Sequence, residues 1–585
     1  MSKQYLVTDL YHFEKYKSHL PKKYLEIPVF DKKNKLKKSI FFKRWGNYKE
    51  KIRDHNRDVK LYKFHLDKLT VFLNRYHQKN FSKRYWELIL TPWLWWFISS
   101  VSFKWDLISS IKANKFIFLK KEIEPKEVIP IGIEDFTKMS TSHFWNHYIF
   151  SKIIEHSFSK KIEIHKIVGD KDKDIEEKSL IYKKLNYKTN KERLSLIIQK
   201  LLNFLPQRKS YLIFSTYLSN FQEIHLNFLT NKSFLFYKAL RPNFLINKLK
   251  KIDKRKISKN LNNKKKGIGN FLSKEILMNL PSSLLENFNA TEKIVEEIPF
   301  PKSPKKIFTC LGFNRSTLMD RYIAKNLENG TSLILAQHGG NFFQQKMHYD
   351  SEYEPKISDK YLTWGNIGKK NTQAIGVIKK INQNKKNSAN KIILEVRVRK
   401  GYTRLKVDSG FLEAKKYIES LCKFFTLIKN NEINETLFVK LHQIKWMWNE
   451  KKQFQSHNPF LKFLDERKRM INEINSAKLI IHTFCGTGHL ECFAANRPTV
   501  ILFLGDINLY NEISKKYFKR FKKLGILYTN PTSLYKFLIK INSEDKIENW
   551  WNSKKIQELL EKYRYDFGFL NNNKIIDLKK IILNE

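Results

Sequence analysis

Cysteine is scarce in this chain: four in 585 residues, Cys310, Cys422, Cys485 and Cys492, with none in the short paired spacings that grip zinc. That excludes a disulfide framework and suits a reducing, cytoplasmic compartment. Acidic residues are also few, 57 against 111 lysines and arginines, which leaves a formal charge of +54. Such an imbalance invites a nucleic-acid reading through counterion release. Lysine, asparagine, isoleucine, phenylalanine and tyrosine are abundant together, however, as in an AT-rich genome, and lysine spread over solvated faces serves solubility more than one partner. A nucleic-acid partner is therefore not expected. Long apolar runs are missing too. Met1 to Leu10 is too short for a secretory core, and Leu88 to Phe103 is interrupted by Thr91, Pro92, Ser99, Ser100 and Ser102, short of the roughly 20 apolar residues of a spanning helix. A buried helix is the expected form. No Walker loop, GxSxG elbow or HExxH helix occurs, so ATPase, serine hydrolase and zincin chemistry have no residues to rest on.

What is present is a large, foldable chain. Apolar residues at 42% and aromatics at 14% allow extensive burial, so disorder is not the default, and the length implies two domains with appendages. Tyr62 to Tyr76 and Lys83 to Leu107 carry apolar residues at helical spacing. Residues 210–215 and 306–310 read as short buried strands, followed by a helix near 317–327 and a strand at 333–336. After residue 390 the alternation becomes regular: strand 391–398, helix 411–429, strand 436–441, helix 460–476, strand 478–482, helix 489–496, strand 499–504. That is the pattern of a doubly wound parallel sheet. A helix over 546–567 carries Trp550, Trp551, Ile556, Leu559, Leu560 and Tyr563. The expected organisation is an acceptor-side α/β domain over 1–365 with helical insertions and a basic loop at 246–268, a linker at 366–390, a donor-side α/β domain over 391–545, and closing helices over 546–585.

The most informative segment is Gln337-His338-Gly339-Gly340-Asn341, at the end of an apolar strand. Open α/β sheets bind ligands at the carboxyl ends of their strands. Gly339 and Gly340 would permit unusual backbone angles and close approach of a ligand, and His338 could remove a proton from an acceptor hydroxyl, imidazole being the side-chain type whose ordinary range lies nearest neutral pH. Glu352, Glu354 and Asp359 follow as competing carboxylate bases, any of which could instead orient the imidazole.

A second candidate is the turn from Thr483 to Glu491, where a strand ends and a helix begins through Cys485-Gly486-Thr487-Gly488. Backbone N–H groups at a helix start attract phosphate, with the Thr483 and Thr487 hydroxyls as further donors. Glu491, about one turn along, could accept from ribose hydroxyls; the plainer alternative is an N-cap by Thr487 with Glu491 as dipole partner. Lys440 and His442, and Arg397 or Arg399, end neighbouring strands and could neutralise a departing diphosphate. Asp170, Asp172 and Asp174 alternate with lysines, which favours a charged loop over a magnesium site. No metal and no cofactor is expected.

Ordered anchors run along the chain: Leu73 to His77, Ser82 to Trp86, Thr91 to Leu94, Phe144 to His147, Gln337 to Asn341, Ser358 to Gly365, and Thr487 through Leu490 to Thr499. In these the sequence resembles a family of transferases encoded among bacterial surface-polysaccharide genes, related more distantly to GT-B glycosyltransferases and CDP-glycerol glycerophosphotransferases. The resemblance implies two Rossmann-like domains of GT-B type, a nucleotide-sugar or CDP-polyol donor, a glycan or lipid-linked acceptor, and no obligatory metal. His338 and Gly339 match the histidine-glycine element of the glycerophosphotransferases, which implies a catalytic histidine. The expectation is thus a cytoplasmic transferase of surface polysaccharide or lipopolysaccharide assembly, with peripheral contact at the inner membrane as a secondary partner. The alternatives are a basic protein binding nucleic acid or membrane, and a catalytically degenerate scaffold.

Overall fold

The computed structural model describes residues 4–7, 24–26, 47–111, 116–167, 211–232, 237, 254, 267–379, 381, 391–397, 411–442, 449–468, 470–541 and 543–585. Asp170, Asp172, Asp174 and Arg399 lie outside them. So does the basic block 248–266 apart from Lys254, which is buried and paired with Glu286 at 2.8 Å. The chain divides into two compact units, one of residues 1–215, 231–332 and 401–405, the other of 216–230, 333–400 and 406–585.

In the first unit, strands β1 (Gln4–Val7), β2 (Tyr24–Glu26), β3 (Phe116–Lys121) and β4 (Ile162–Ile167) form a parallel sheet in the order β2-β1-β3-β4. Its helical part begins with α1 (Tyr48–His77) and α2 (Lys83–Ser109). Asn47 and Ser82 cap the two helices by accepting from Lys49 N and Tyr85 N, satisfying amides that a helix start leaves open. Leu66, Leu69 and Leu73 of α1 and Trp86, Leu90, Trp93, Leu94 and Phe97 of α2 are buried, as the helical spacing predicts. The Leu88 to Phe103 run is the core of α2, and no helix among the described residues is long and apolar enough to cross a membrane. Further along, β5 (Tyr211–Ile213) pairs parallel with β6 (Lys306–Thr309), with α3 (Ile268–Asn279) and α4 (Phe288–Glu296) between them in sequence. Helix α5 (Thr317–Glu328) then leads to β7 (Ser332–Ala336).

In the second unit, β7 pairs parallel with β8 (Lys360–Thr363), and β8 with β9 (Thr372–Ala374). A six-stranded parallel sheet comprises β10 (Ile392–Val396), β11 (Leu437–Leu441), β12 (Lys462–Phe463), β13 (Leu479–His482), β14 (Thr499–Leu502) and β15 (Leu527–Tyr528), in the order β12-β11-β10-β13-β14-β15. From β10 the chain winds outward to β12, then returns to β13 and winds the other way. The β10/β13 junction is therefore a switch point, where an open α/β sheet splays its loops into a crevice. Near-continuous apolar strands such as Leu479-Ile480-Ile481 are buried, as strands covered on both faces must be.

Two helix expectations need correction. In place of one helix over 460–476, the chain forms a helix at Glu450–His457, then β12, then a short turn of helix at Met470–Glu473. Pro459 disfavours helical backbone at Asn458, where the first helix ends, and Phe460 is left exposed. The 546–567 stripe is two helices, Glu544–Trp551 and Lys554–Phe567. A break at Asn552-Ser553 lets both apolar stripes face one cluster that holds Trp551, Leu559, Leu560, Tyr563, Leu490 and Phe493.

Candidate functional site

The His338 loop and the 483–491 turn lie in the second unit and touch each other. Loop residues 337–341 leave the carboxyl end of β7; the turn leaves the carboxyl end of β13 and opens α6 (Thr487–Ala494). Gly340 N donates to Thr487 Oγ1 at 2.9 Å, and Asn341 Nδ2 donates to Cys485 O at 2.7 Å. A β-carbon built on Gly340 would lie 2.3 Å from Gly486 C and O and 2.6 Å from Thr487 N. Glycine is required there for space. Its backbone is not in the left-handed region, whereas Asn341 (φ 70) and Phe343 (φ 59) are. The expected reason for the glycine pair, unusual angles, is thus replaced by close approach of two backbones, and the close approach is to the protein's own turn. At Gly339 the nearest atom to a built β-carbon is Thr487 Oγ1 at 3.2 Å. Gln337 is buried and secures the loop, its amide donating to Gly339 O at 2.8 Å and its carbonyl accepting from Trp364 N at 3.0 Å.

His338 is held with Nδ1 3.6 Å from Glu354 Oε1. Glu354 is fully buried, and Tyr361 donates to its other oxygen at 2.8 Å. A carboxylate facing Nδ1 favours the tautomer with its proton there, which leaves the basic lone pair on Nε2. The ring of Phe342 meets the imidazole edge-on at 5.0 Å. The three candidate carboxylates separate clearly. Glu354 is brought to the histidine; Glu352 is exposed on the helix Asp350–Ile357. Asp359 accepts from Leu333 N at 2.7 Å and returns its own N–H to Leu333 O at 2.9 Å. That clip holds the amino end of β7, five residues and roughly 16 Å of strand from His338.

Asp350 is a residue that sequence reasoning missed. With His338 and Glu354 it forms a group whose nearest ligand atoms all lie within 4.8 Å of one another. A histidine and two carboxylates could hold a divalent cation. The spacing of Asp350 and Glu354, four apart on one helix face, was the available signal.

Around the turn, the donor-side residues fall into two groups. Gly486, Thr487 and Gly488 open α6; Gly486 N donates to His489 Nδ1 at 2.9 Å. That bond fixes the proton of His489 on Nε2, which faces Tyr563 Oη at 3.1 Å. Burial, with nearby His482 acting in the same direction, holds the His489 imidazole down at about 3, so it is neutral. Arg397, beyond the end of β10, lies over the Phe484 ring at 5.6 Å, and His442, beyond the end of β11, is half-buried.

The second group is turned inward. Thr483 donates to Glu395 O at 2.7 Å and is bonded to Tyr417. Lys440 is buried and donates to Asp465 O. Glu491 is buried against Lys379 Nζ at 2.7 Å; burial raises its carboxyl above the ordinary range and Lys379 opposes this.

Glu395 and His482, on adjacent strands at the switch point, were not singled out from sequence. They are joined at 2.7 Å, Glu395 Oε2 to His482 Nδ1. Burial pushes the Glu395 carboxyl up, but the His482 hydrogen bond and positive neighbours outweigh it and hold it below the usual range. A β-carbon on Gly488 would meet both, 2.7 Å from His482 Cε1 and 2.8 Å from Glu395 Oε2. Gly488 therefore lets α6 pass close over this pair.

Solved structures similar to this chain include MurG of Acinetobacter baumannii, at 11% identity and TM-score 0.31, covering 64% of this chain and 99% of that one. Another is the UDP-GlcNAc 2-epimerase of Neisseria meningitidis bound to UDP-GlcNAc, at 10% identity and TM-score 0.33, covering 64% and 99%. A third is Anabaena Alr3699/HepE in complex with UDP and glucose, at 11% identity and TM-score 0.31, covering 64% and 98%. No curated protein matches the sequence. The family model described as LIC12162 family transferase matches residues 28–582, nearly the whole length, and the chain belongs to that family of transferases.

Proposed function

We propose that this transferase is of GT-B type and moves a sugar or polyol phosphate from a nucleotide-activated donor to a glycan or lipid-linked acceptor in bacterial surface-polysaccharide assembly. The observation that carries the reading is the seating of the His338 loop on the Cys485–Thr487 turn, through Gly340 N to Thr487 Oγ1 and Asn341 Nδ2 to Cys485 O. It sets a carboxylate-oriented imidazole beside the start of α6 within one compact unit.

In this mechanism His338 Nε2 removes the proton of the acceptor hydroxyl as that oxygen attacks the donor, and Glu354 stabilises the imidazolium that forms. The donor's diphosphate is assigned to the first turn of α6, where the helix dipole favours negative charge; Gly486 N is already bonded to His489 Nδ1 and the Gly340 backbone packs against Thr487 N, so the binding falls to amides further into that turn, and Arg397 neutralises the leaving group. No metal is required for these steps. Glu491 is assigned the ribose hydroxyls, for which the Lys379 pair must open. The donor is sought by a thermal-shift screen of CMP, CDP, UDP, GDP and their sugars, since a ligand of the native form raises its melting point. A donor that raises Tm in wild type and in His338→Ala alike, but is consumed only by wild type, supports the reading. Equal turnover by both proteins removes His338 from the mechanism.

A further inference from the structure

One side chain beside the donor turn serves two partners at once. Lys379 Nζ lies 2.7 Å from Glu491 Oε1 and 5.0 Å from the centre of the Tyr217 ring, and all three residues belong to the second unit. The backbone of Lys379 is pinned. The Lys574 ammonium donates to the carbonyls of Val377, Ile378 and Lys379 at 3.4, 3.2 and 3.2 Å, and Val377 N donates to Phe569 O at 2.8 Å. Its side chain keeps more freedom: 27% of it is exposed, against 4% for Glu491, and an ammonium on a four-carbon stem swings readily.

Glu491 stands four residues after Thr487, which opens α6, so its Cα is roughly 6 Å along the axis from the start of the helix. A diphosphate in the first turn brings further negative charge within reach of this buried carboxylate, and like charges at such a distance repel. Lys379 is the cation already in contact with one of the two. Tyr217 adds a second hold on it. The Tyr217 backbone is kept in the left-handed region (φ 66), where a residue with a β-carbon persists only if its surroundings fix it, and the adjacent Thr216 N donates to Glu223 Oε2 at 3.0 Å. An aromatic face attracts an ammonium without using any of its three N–H donors. The ring can therefore retain Lys379 while its hydrogen-bonded partner changes.

We propose that Lys379 is a ligand-operated latch: in the free protein it closes Glu491, and when the nucleotide arrives its ammonium passes to the diphosphate while the ribose hydroxyls take the carboxylate. One ion pair is exchanged for another, so the carboxylate and the phosphate never face each other without a cation between them. This role of Lys379 rests on the donor reading above. It adds a phosphate-binding residue and a discrimination, because a nucleoside without phosphate offers the ammonium nothing in exchange and meets a closed latch.

The test uses the full chain, with CDP, UDP and GDP as probes in calorimetric titrations of wild type, Lys379→Gln and Lys379→Arg. The nucleoside diphosphate that binds wild type should bind Lys379→Gln about tenfold or more weakly, the worth of one charge-assisted hydrogen bond, and Lys379→Arg, which keeps the charge, should recover most of the loss. A double-mutant cycle on the urea midpoints of Lys379→Gln, Glu491→Gln and the double variant separates a latch from a static structural pair. It is run without nucleotide and again with the bound probe at saturation. The latch requires coupling between the two positions in the free protein and its disappearance in the complex. Coupling that persists undiminished in the complex, no coupling in the free protein, or equal affinity of wild type and Lys379→Gln for the probe overturns the latch and leaves the donor reading standing. Failure of all three probes to bind wild type refutes the donor reading, and the latch with it.

Discussion

Replacing Gly340 with alanine tests the central contact of the site. The new methyl carbon would lie 2.3 Å from the backbone C and O of Gly486 and 2.6 Å from Thr487 N, against about 3.5–4.0 Å for carbon atoms at rest. Neither backbone can rotate away, so the two segments must part by roughly 1.2 Å at least to restore ordinary contact. That stretches the 2.9 Å bond from Gly340 N to Thr487 Oγ1 beyond hydrogen-bonding range. Overpacking costs about 1–3 kcal/mol and the lost bond about 1 kcal/mol, together roughly 2–4 kcal/mol. For a cooperative unit of this size the melting temperature should fall by roughly 4–16 °C. Transfer should fall further, on the order of a hundredfold, because His338 moves about 1 Å with its loop. Gly339→Ala is the control: its β-carbon meets only Thr487 Oγ1, at 3.2 Å, a hydroxyl that can turn, and the cost should stay within about 1 kcal/mol. Differential scanning fluorimetry of the two variants beside wild type reads the difference directly. A Gly340→Ala protein that melts with wild type, or a Gly339→Ala protein that is the less stable of the two, would refute the reasoning.

Glu354→Gln should lower turnover by about tenfold or more while Glu352→Gln leaves it unchanged, since only Glu354 reaches His338; steady-state kinetics with equal effects on both would dissociate Glu354 from the histidine. Asp359→Ala should lower Tm by removing the acceptor of Leu333 N, at about 1–3 kcal/mol, with kcat preserved in the folded protein. His489 gives a pH dependence: its folded imidazole protonates only near 3, the unfolded one near 6.5. Between those values the unfolded chain binds the extra proton, so stability is lost as pH falls from about 6.5, by up to about 1.4 kcal/mol per unit. Urea midpoints at pH 7 and 5 should differ by less in His489→Gln, and an identical difference would contradict the assignment. Finally, EDTA should leave transfer intact. Inactivation by the chelator, reversed by a divalent cation and abolished in Asp350→Asn, would recast His338, Asp350 and Glu354 as a metal centre.

Local sequence pattern determined much of this protein. The second half of the helix Tyr48–His77, read over Tyr62–Tyr76, the helix Lys83–Ser109, the strands ending at Ala336, Leu441 and His482, and the helix read from His489, which starts at Thr487, were legible because each carries its own apolar period or turn residues, whereas residues 48–61 of the first helix were not read. Pattern failed where a short element is held by its neighbours, as at β12, or where one apolar stripe is folded on itself, as at Asn552-Ser553. For the site, the sequence could identify residue types able to take a proton or face a phosphate. It could not rank Glu352, Glu354 and Asp359, nor separate Thr487, half-buried against the His338 loop, from Thr483, buried and bonded inward. Those outcomes depend on partners that lie from seven to well over a hundred positions away. Tyr361 holds Glu354, Leu333 occupies Asp359, Glu395 and Tyr417 engage Thr483, and Gly486 sets the space for Gly340. Composition and periodicity are properties of neighbours in sequence, whereas a proton acceptor's reach is fixed by distances of a few ångströms between residues up to 147 positions apart, and only the tertiary structure decides those.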